Sequence, residues 1–118
     1  MKPYHHGMSS AKAFGGVPED YQAIHDFLDS PKSAHPDMRH RALLHNSWGI
    51  YVCEQLFGVF IVNSDGRKVQ VRDIAERHVI EDMGRIPTVS DYLDGMPMYE
   101  WLGGPRRKLL RTIDLTSD

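Results

Sequence analysis

Cysteine is almost missing from this chain. Cys53 is the only one among 118 residues, which excludes an internal disulfide and a thiolate cage for zinc. Within an apolar stretch, a lone thiol reads as a small core side chain. Long apolar runs are missing as well. No segment approaches the roughly 18 consecutive apolar residues that a membrane span requires, and the first residues lack the apolar core of a signal peptide. The expectation is a cytoplasmic chain without a membrane partner. Nor does one sign of charge dominate. Fourteen Lys and Arg against 16 Asp and Glu leave a net charge of −2, too small a field to draw the protein onto nucleic acid or anionic lipid. With 41% hydrophobic and 25% charged residues, the chain has the balance of an ordinary folded domain. Its length suits a single core.

Histidine is what the sequence has in excess. Seven are spread along it, at positions 5, 6, 25, 35, 40, 45 and 78. Three of them fall in or just before the longest helical pattern, residues 37–57. Pro36 suits a first turn, Asp37 complements the positive end of the helix, and Gly58 stops it. Ala42, Leu43, Leu44, Trp48, Ile50, Tyr51, Val52, Cys53, Leu56 and Phe57 make this segment apolar on more than one face. The pattern predicts one long central helix wrapped by the rest of the protein. It would carry His40, His45, Asn46 and Glu54 at or near the interior.

The flanking segments are shorter. Ser9 to Phe14 reads as a brief helix stopped by Gly15 and Gly16, and Pro18 opens a second one with Tyr21, Ile24, Phe27 and Leu28 at helical spacing. After Gly58, two runs of β-formers flank the turn Asn63-Ser64-Asp65-Gly66, which predicts a β-hairpin over about 59–71. Asp73 is the expected N-cap of a helix running to Met83, with Glu76 as its box partner and Gly84 as its stop. Thr88 and Asp91 form the same signature for a short helix, and Met96 to Leu102 suits a last apolar turn. The fold class is therefore α+β and mostly helical, with one compact domain over 1–102. From 103 to 118 the composition shifts to a tail with four basic residues and Leu109, Leu110, Ile113 and Leu115. Its apolar residues suit contact with a second copy, giving a homo-oligomer. Basic residues without aromatic interleaving argue against nucleic acid.

Four segments taken together carry a resemblance. They are residues 5–11 with Phe14-Gly15-Gly16, residues 20–25, residues 39–46, and Asn63-Ser64-Asp65-Gly66 with residues 71–84. Over about residues 4–95 the chain resembles a family of short proteins of unknown function found in bacteria and tailed phages. The resemblance implies no activity. It implies that these polar residues belong to one recurring domain, and that the source is a bacterium, a phage or another mobile element.

Four constellations can carry chemistry. His78, Glu81 and Asp82 stand at i, i+3 and i+4 and share one helix face, so imidazole and carboxylate can reach one cation. A solvated helix end is the plain alternative. His40 and His45, five residues apart, would point about 140° from each other on a straight helix. One rigid helix then aims at most one of them at a given ion. His25-Asp26 resembles the doublet of metal-dependent phosphohydrolases, with His5 or His6 and Asp82 filling the other places only by assumption. The Tyr4-His5-His6 segment either frays or folds back as a further ligand.

Imidazole with carboxylate suits zinc, iron or manganese. The expected metal ligands are His5 (or its neighbour His6), His25, His40 and His78, with Glu81 or Asp82 as a further ligand or general base. Arg39, His45 and Arg72 would receive an anionic, phosphate-containing small molecule. The expectation is a metal-dependent protein acting on or binding such a molecule, a hydrolase if an enzyme. The alternative is a non-enzymatic binding module whose histidines form a metal-free polar network.

Overall fold

The computed structural model describes residues 2–103; the expected C-terminal tail, with its proposed self-association, lies outside them. Pro3 sits where a missing N–H costs nothing, and α1 (Pro3–Phe14) starts there. It ends at Gly15 and Gly16, whose φ values of 90° and 71° suit glycine alone. The helix expected from Ser9 therefore begins two turns earlier and takes in Tyr4, His5 and His6. A 3₁₀ turn (Pro18–Tyr21) that buries Tyr21 leads into α2 (Gln22–Asp29), which buries Ile24 and Leu28 beside it.

The long helix expected over 37–57 is broken. A 3₁₀ turn (Met38–His40) passes into α3 (Arg41–Leu44), and α4 (Ser47–Phe57) begins anew after a corner at His45 and Asn46. Asn46 is in extended backbone (φ −160°, ψ 174°), and its Oδ1 accepts from the Gly49 N–H at 2.7 Å. Its Nδ2 donates to the Ala42 carbonyl at 2.8 Å, which ties the new helix to the end of the old one. A short polar side chain that satisfies orphan backbone groups on both sides stabilises a corner over a continuous helix. Gly49 makes the corner possible: a Cβ there would lie 1.8 Å from the Leu44 carbonyl oxygen. The Tyr92 hydroxyl donates to the His45 carbonyl at 2.9 Å, and Ser47 N–H to that of Pro87.

The hairpin forms as expected. β1 (Phe60–Val62) pairs antiparallel with β2 (Lys68–Gln70), Ile61 opposite Val69. Its tip clamps the end of α1. Asn63 Nδ2 and an Arg67 guanidinium N–H donate to the Phe14 carbonyl at 3.2 and 3.0 Å, and Gly16 N–H donates to Asp65 at 2.9 Å. Ser64 donates to Asp20 from its backbone N–H and its hydroxyl.

The next helix, α5 (Val71–Met83), starts two residues before the expected cap, with Gln70 at the N-cap and Asp73 inside its first turn. The last short helix, α6 (Val89–Leu93), has Thr88 and Asp91 in the reciprocal cap that the sequence predicts. Ile50, Cys53, Val69, Val71, Ile74, Ala75 and Val79 close the core with the α2 residues. Each fully buried aliphatic side chain contributes about 1.5–3 kcal/mol. The result is α+β and mostly helical, with α1, α2, α4 and α5 packed on one another. Among the described residues, no helix is long and apolar enough to cross a membrane.

Candidate metal centre

Beside the apolar core lies a polar one. Residues four apart share a helix face, and three helices each turn such a pair to one point. These are His6 and Ser10 on α1, His25 and Asp29 on α2, and His78 and Asp82 on α5. The corner before α4 adds His45. The four histidines and Ser10 are fully buried, and Asp29 is 6% exposed.

Two groups of donors can be separated, Asp29 with His45, His78 and Asp82, and His6 with His25 and His78. In the first, His78 Nε2 lies 3.1 Å from Asp29 Oδ1 and 3.4 Å from Asp82 Oδ2. His45 Nε2 lies 2.9 Å from Asp82 Oδ2 and 3.5 Å from Asp29 Oδ1. Each nitrogen is thus shared between both carboxylates.

In the second group, His25 Nδ1 and His78 Nδ1 are 2.8 Å apart, and His25 Nε2 is 2.8 Å from the Ser10 hydroxyl. The His6 ring stacks on His78 at 3.7 Å. His6 Nδ1 bonds Glu81 at 2.8 Å, while its Nε2 lies 3.2 Å from Asp82 Oδ1. Glu81 also accepts from Ser9 and lies 3.5 Å from Arg77. It faces a surface groove of about 360 Å³ lined by Phe14, Asp73, Glu76, Arg77, Ile80 and Glu81.

The electrostatics follow from burial set against pairing. Burial lowers His25 to about 3, and the neighbouring His78 and His6 push in the same direction. It also lowers His45, outweighing the hydrogen bond to Asp82. For His78, burial opposes charge, but the hydrogen bonds to Asp29 and Asp82 win and raise it. Burial alone would raise Asp29 and Asp82; bonding to the histidines holds both below the ordinary carboxylate range. His78, held between two aspartates, is the pivot.

The expected site residues fall into two sets. His25, His78, Glu81 and Asp82 are brought together, and His45 joins them as a donor beside the aspartates rather than as a substrate contact. His5 is exposed on the far side of α1, and His6 takes the place expected of it. His40 is buried elsewhere, its Nδ1 donating to the Asp37 carbonyl in a separate pocket with His35, Arg39 and Leu43. Arg39 is 80% exposed and pairs with Asp37; Arg72 is 58% exposed beside Glu54 and Glu76. Neither reaches the centre. Asp26, the second half of the doublet, bonds Gln22 on the surface. Asp29 was missed, though His25-x-x-x-Asp29 repeats the spacing of His78-x-x-x-Asp82.

The chain belongs to the family described as Domain of unknown function (DUF6915), whose family model matches residues 1–102. No curated protein and no solved structure matches it.

Proposed function

We propose that this family member holds a divalent transition-metal ion (zinc, iron or manganese) between Asp29, His45, His78 and Asp82, and uses it to hydrolyse an anionic, phosphate-containing small molecule. One observation carries the reading. Ligands about 2.0–2.1 Å from a tetrahedral ion stand about 3.3–3.4 Å from one another. The four nitrogen-to-oxygen separations here, 2.9, 3.1, 3.4 and 3.5 Å, bracket that value. Each ring nitrogen makes one hydrogen bond, His45 to Asp82 and His78 to Asp29, and also approaches the other carboxylate at 3.5 and 3.4 Å, so all four side chains face one point.

The donor set has no thiolate, whereas structural zinc centres are built largely on cysteine. When bound, the ion would supply Lewis acidity; because the four protein ligands already complete a tetrahedron, it would activate a water by expanding to five-coordinate. The chain's own residues do the remainder. Arg41, 3.9 Å from Asp82, and Lys32, 4.0 Å from Asp29, put positive charge at the rim in place of the expected Arg39 and Arg72. Glu81, 19% exposed and held by His6, stands at the solvent side as the general base. The cytoplasm of a bacterium or a phage-infected cell, implied by the sequence resemblance, belongs to the same proposal.

A metal-free network is the second reading, favoured by the continuous contacts from Ser10 through His25 and His78 to Asp29. Against it, Asp29 Oδ2 is buried without a hydrogen bond. Elemental analysis of full-length, tag-free protein purified without chelator separates the two. The expected result is at least about one ion per chain, lost in His45→Ala and Asp29→Asn together with hydrolysis of p-nitrophenyl phosphate. Wild type that stays metal-free after reloading overturns the proposal. Bound ion without turnover would restrict it to binding.

A further inference from the structure

His78 and Asp82 each show two donor atoms to two different groups. His78 turns Nε2 to the aspartates and Nδ1 to His25, at 2.8 Å. Asp82 turns Oδ2 to His45 and His78, and Oδ1 to His6 Nε2 at 3.2 Å. Side chains that present both of their donor atoms in this way are suited to lie between two cations.

We propose that the centre is dinuclear, with a second divalent transition-metal ion held by His6, His25 and the Nδ1 edge of His78. This rests on the reading above, which supplies the first ion. All three histidines are fully buried, and one donor atom from each comes within 4.8 Å of the others. Two nitrogens sharing a tetrahedral ion stand about 3.3 Å apart. The His25 and His78 Nδ1 atoms, now at 2.8 Å, need to part by only about half an ångström.

The fully buried His6 ring lies over His78, and Asp82 Oδ1 stands 3.2 Å from its Nε2 as a fourth donor. Ser10, bonded to His25 Nε2, fixes the orientation of that ring so that Nδ1 faces inward.

Manganese is the probe. Full-length wild type, His6→Ala and His25→Ala are loaded with it, freed of excess, and analysed for metal per chain and by electron paramagnetic resonance. Two ions per chain with a spin-coupled spectrum are expected in wild type, and one ion with an isolated six-line spectrum in each variant, a twofold drop. One ion in wild type, retained in the variants, overturns the second site and leaves the first reading standing. No ion in wild type removes the first reading and the second site with it. The wild-type count decides even where an alanine variant misfolds. His25→Gln, which keeps a polar group near Ser10, gives a further variant whose fold circular dichroism can verify.

Discussion

Replacing Asn46 with alanine removes two hydrogen bonds, one buried and one partly buried, that hold the corner between α3 and α4. One is the cap on the Gly49 N–H at 2.7 Å; the other runs to the Ala42 carbonyl at 2.8 Å. Loss of an asparagine cap costs about 1–2 kcal/mol. A buried carbonyl left without its donor adds about 1 kcal/mol. Asn46 is fully buried, so water cannot fill in without rearrangement. The expected loss is about 2–3 kcal/mol, or about 10–20 °C in Tm for a domain of this size. Urea denaturation of wild type, Asn46→Ala and Asn46→Ser measures it. Serine keeps a cap but is too short to reach Ala42, so it should lose only about 1 kcal/mol. A loss below about 0.5 kcal/mol in the alanine variant, with serine no different, would refute the account of the corner.

Gly49→Ala places a Cβ 1.8 Å from the Leu44 oxygen. Backbone on both sides resists the shift, so a loss above about 3 kcal/mol is expected in the same assay, and one under about 1 kcal/mol would contradict the packing. Burial, with a smaller push from Glu54, raises the Cys53 thiol to about 12. Native protein at pH 8 should leave a disulfide reagent such as dithiobis-nitrobenzoate unreacted, with the thiol appearing only on denaturation. Rapid labelling of the folded state would count against that burial. The Val17 N–H, then the Ser64 hydroxyl and N–H, hold Asp20 below the ordinary carboxylate range. Its stabilising contribution is therefore complete above about pH 4 and fades as pH falls toward the folded-state pKa. The stability gap between wild type and Asp20→Asn should be flat from pH 5 to 7 and narrow at lower pH; a gap widening with acid would reverse the assignment.

Elements with local signals were legible in the sequence. The hairpin follows from its turn residues, α6 from Thr88 and Asp91, and the inward face of α2 from Ile24 and Leu28. The corner was not, because Asn46 sits within a segment whose apolar residues cover more than one face and read as one continuous helix. Its capping role depends on Gly49 meeting Leu44, a steric relation that periodicity does not express. The centre was half legible. His78 and Asp82 lie on one helix at contact spacing, so they could be paired on paper. His6 differs from His5 by one position, and one helical step of about 100° decides which is buried. Asp29 reads as the start of a Pro-containing connection, yet it is the last residue of α2. Arg39 and Arg72 were drawn to the site by sequence proximity to histidines, while Asp37, Glu54 and Glu76 hold them at the surface.

By composition, the turn at residues 63–66 is where an engineer would insert a tag or choose new termini. Exposed turns of small polar residues usually tolerate that. Here the turn is a latch on α1, gripping Phe14, Gly16 and Asp20 through Asn63, Ser64, Asp65 and Arg67. An insertion there would loosen the helix that delivers His6 and Ser10, more than 40 positions away in the chain. A turn that looks permissive by composition is thus a poor place for cargo.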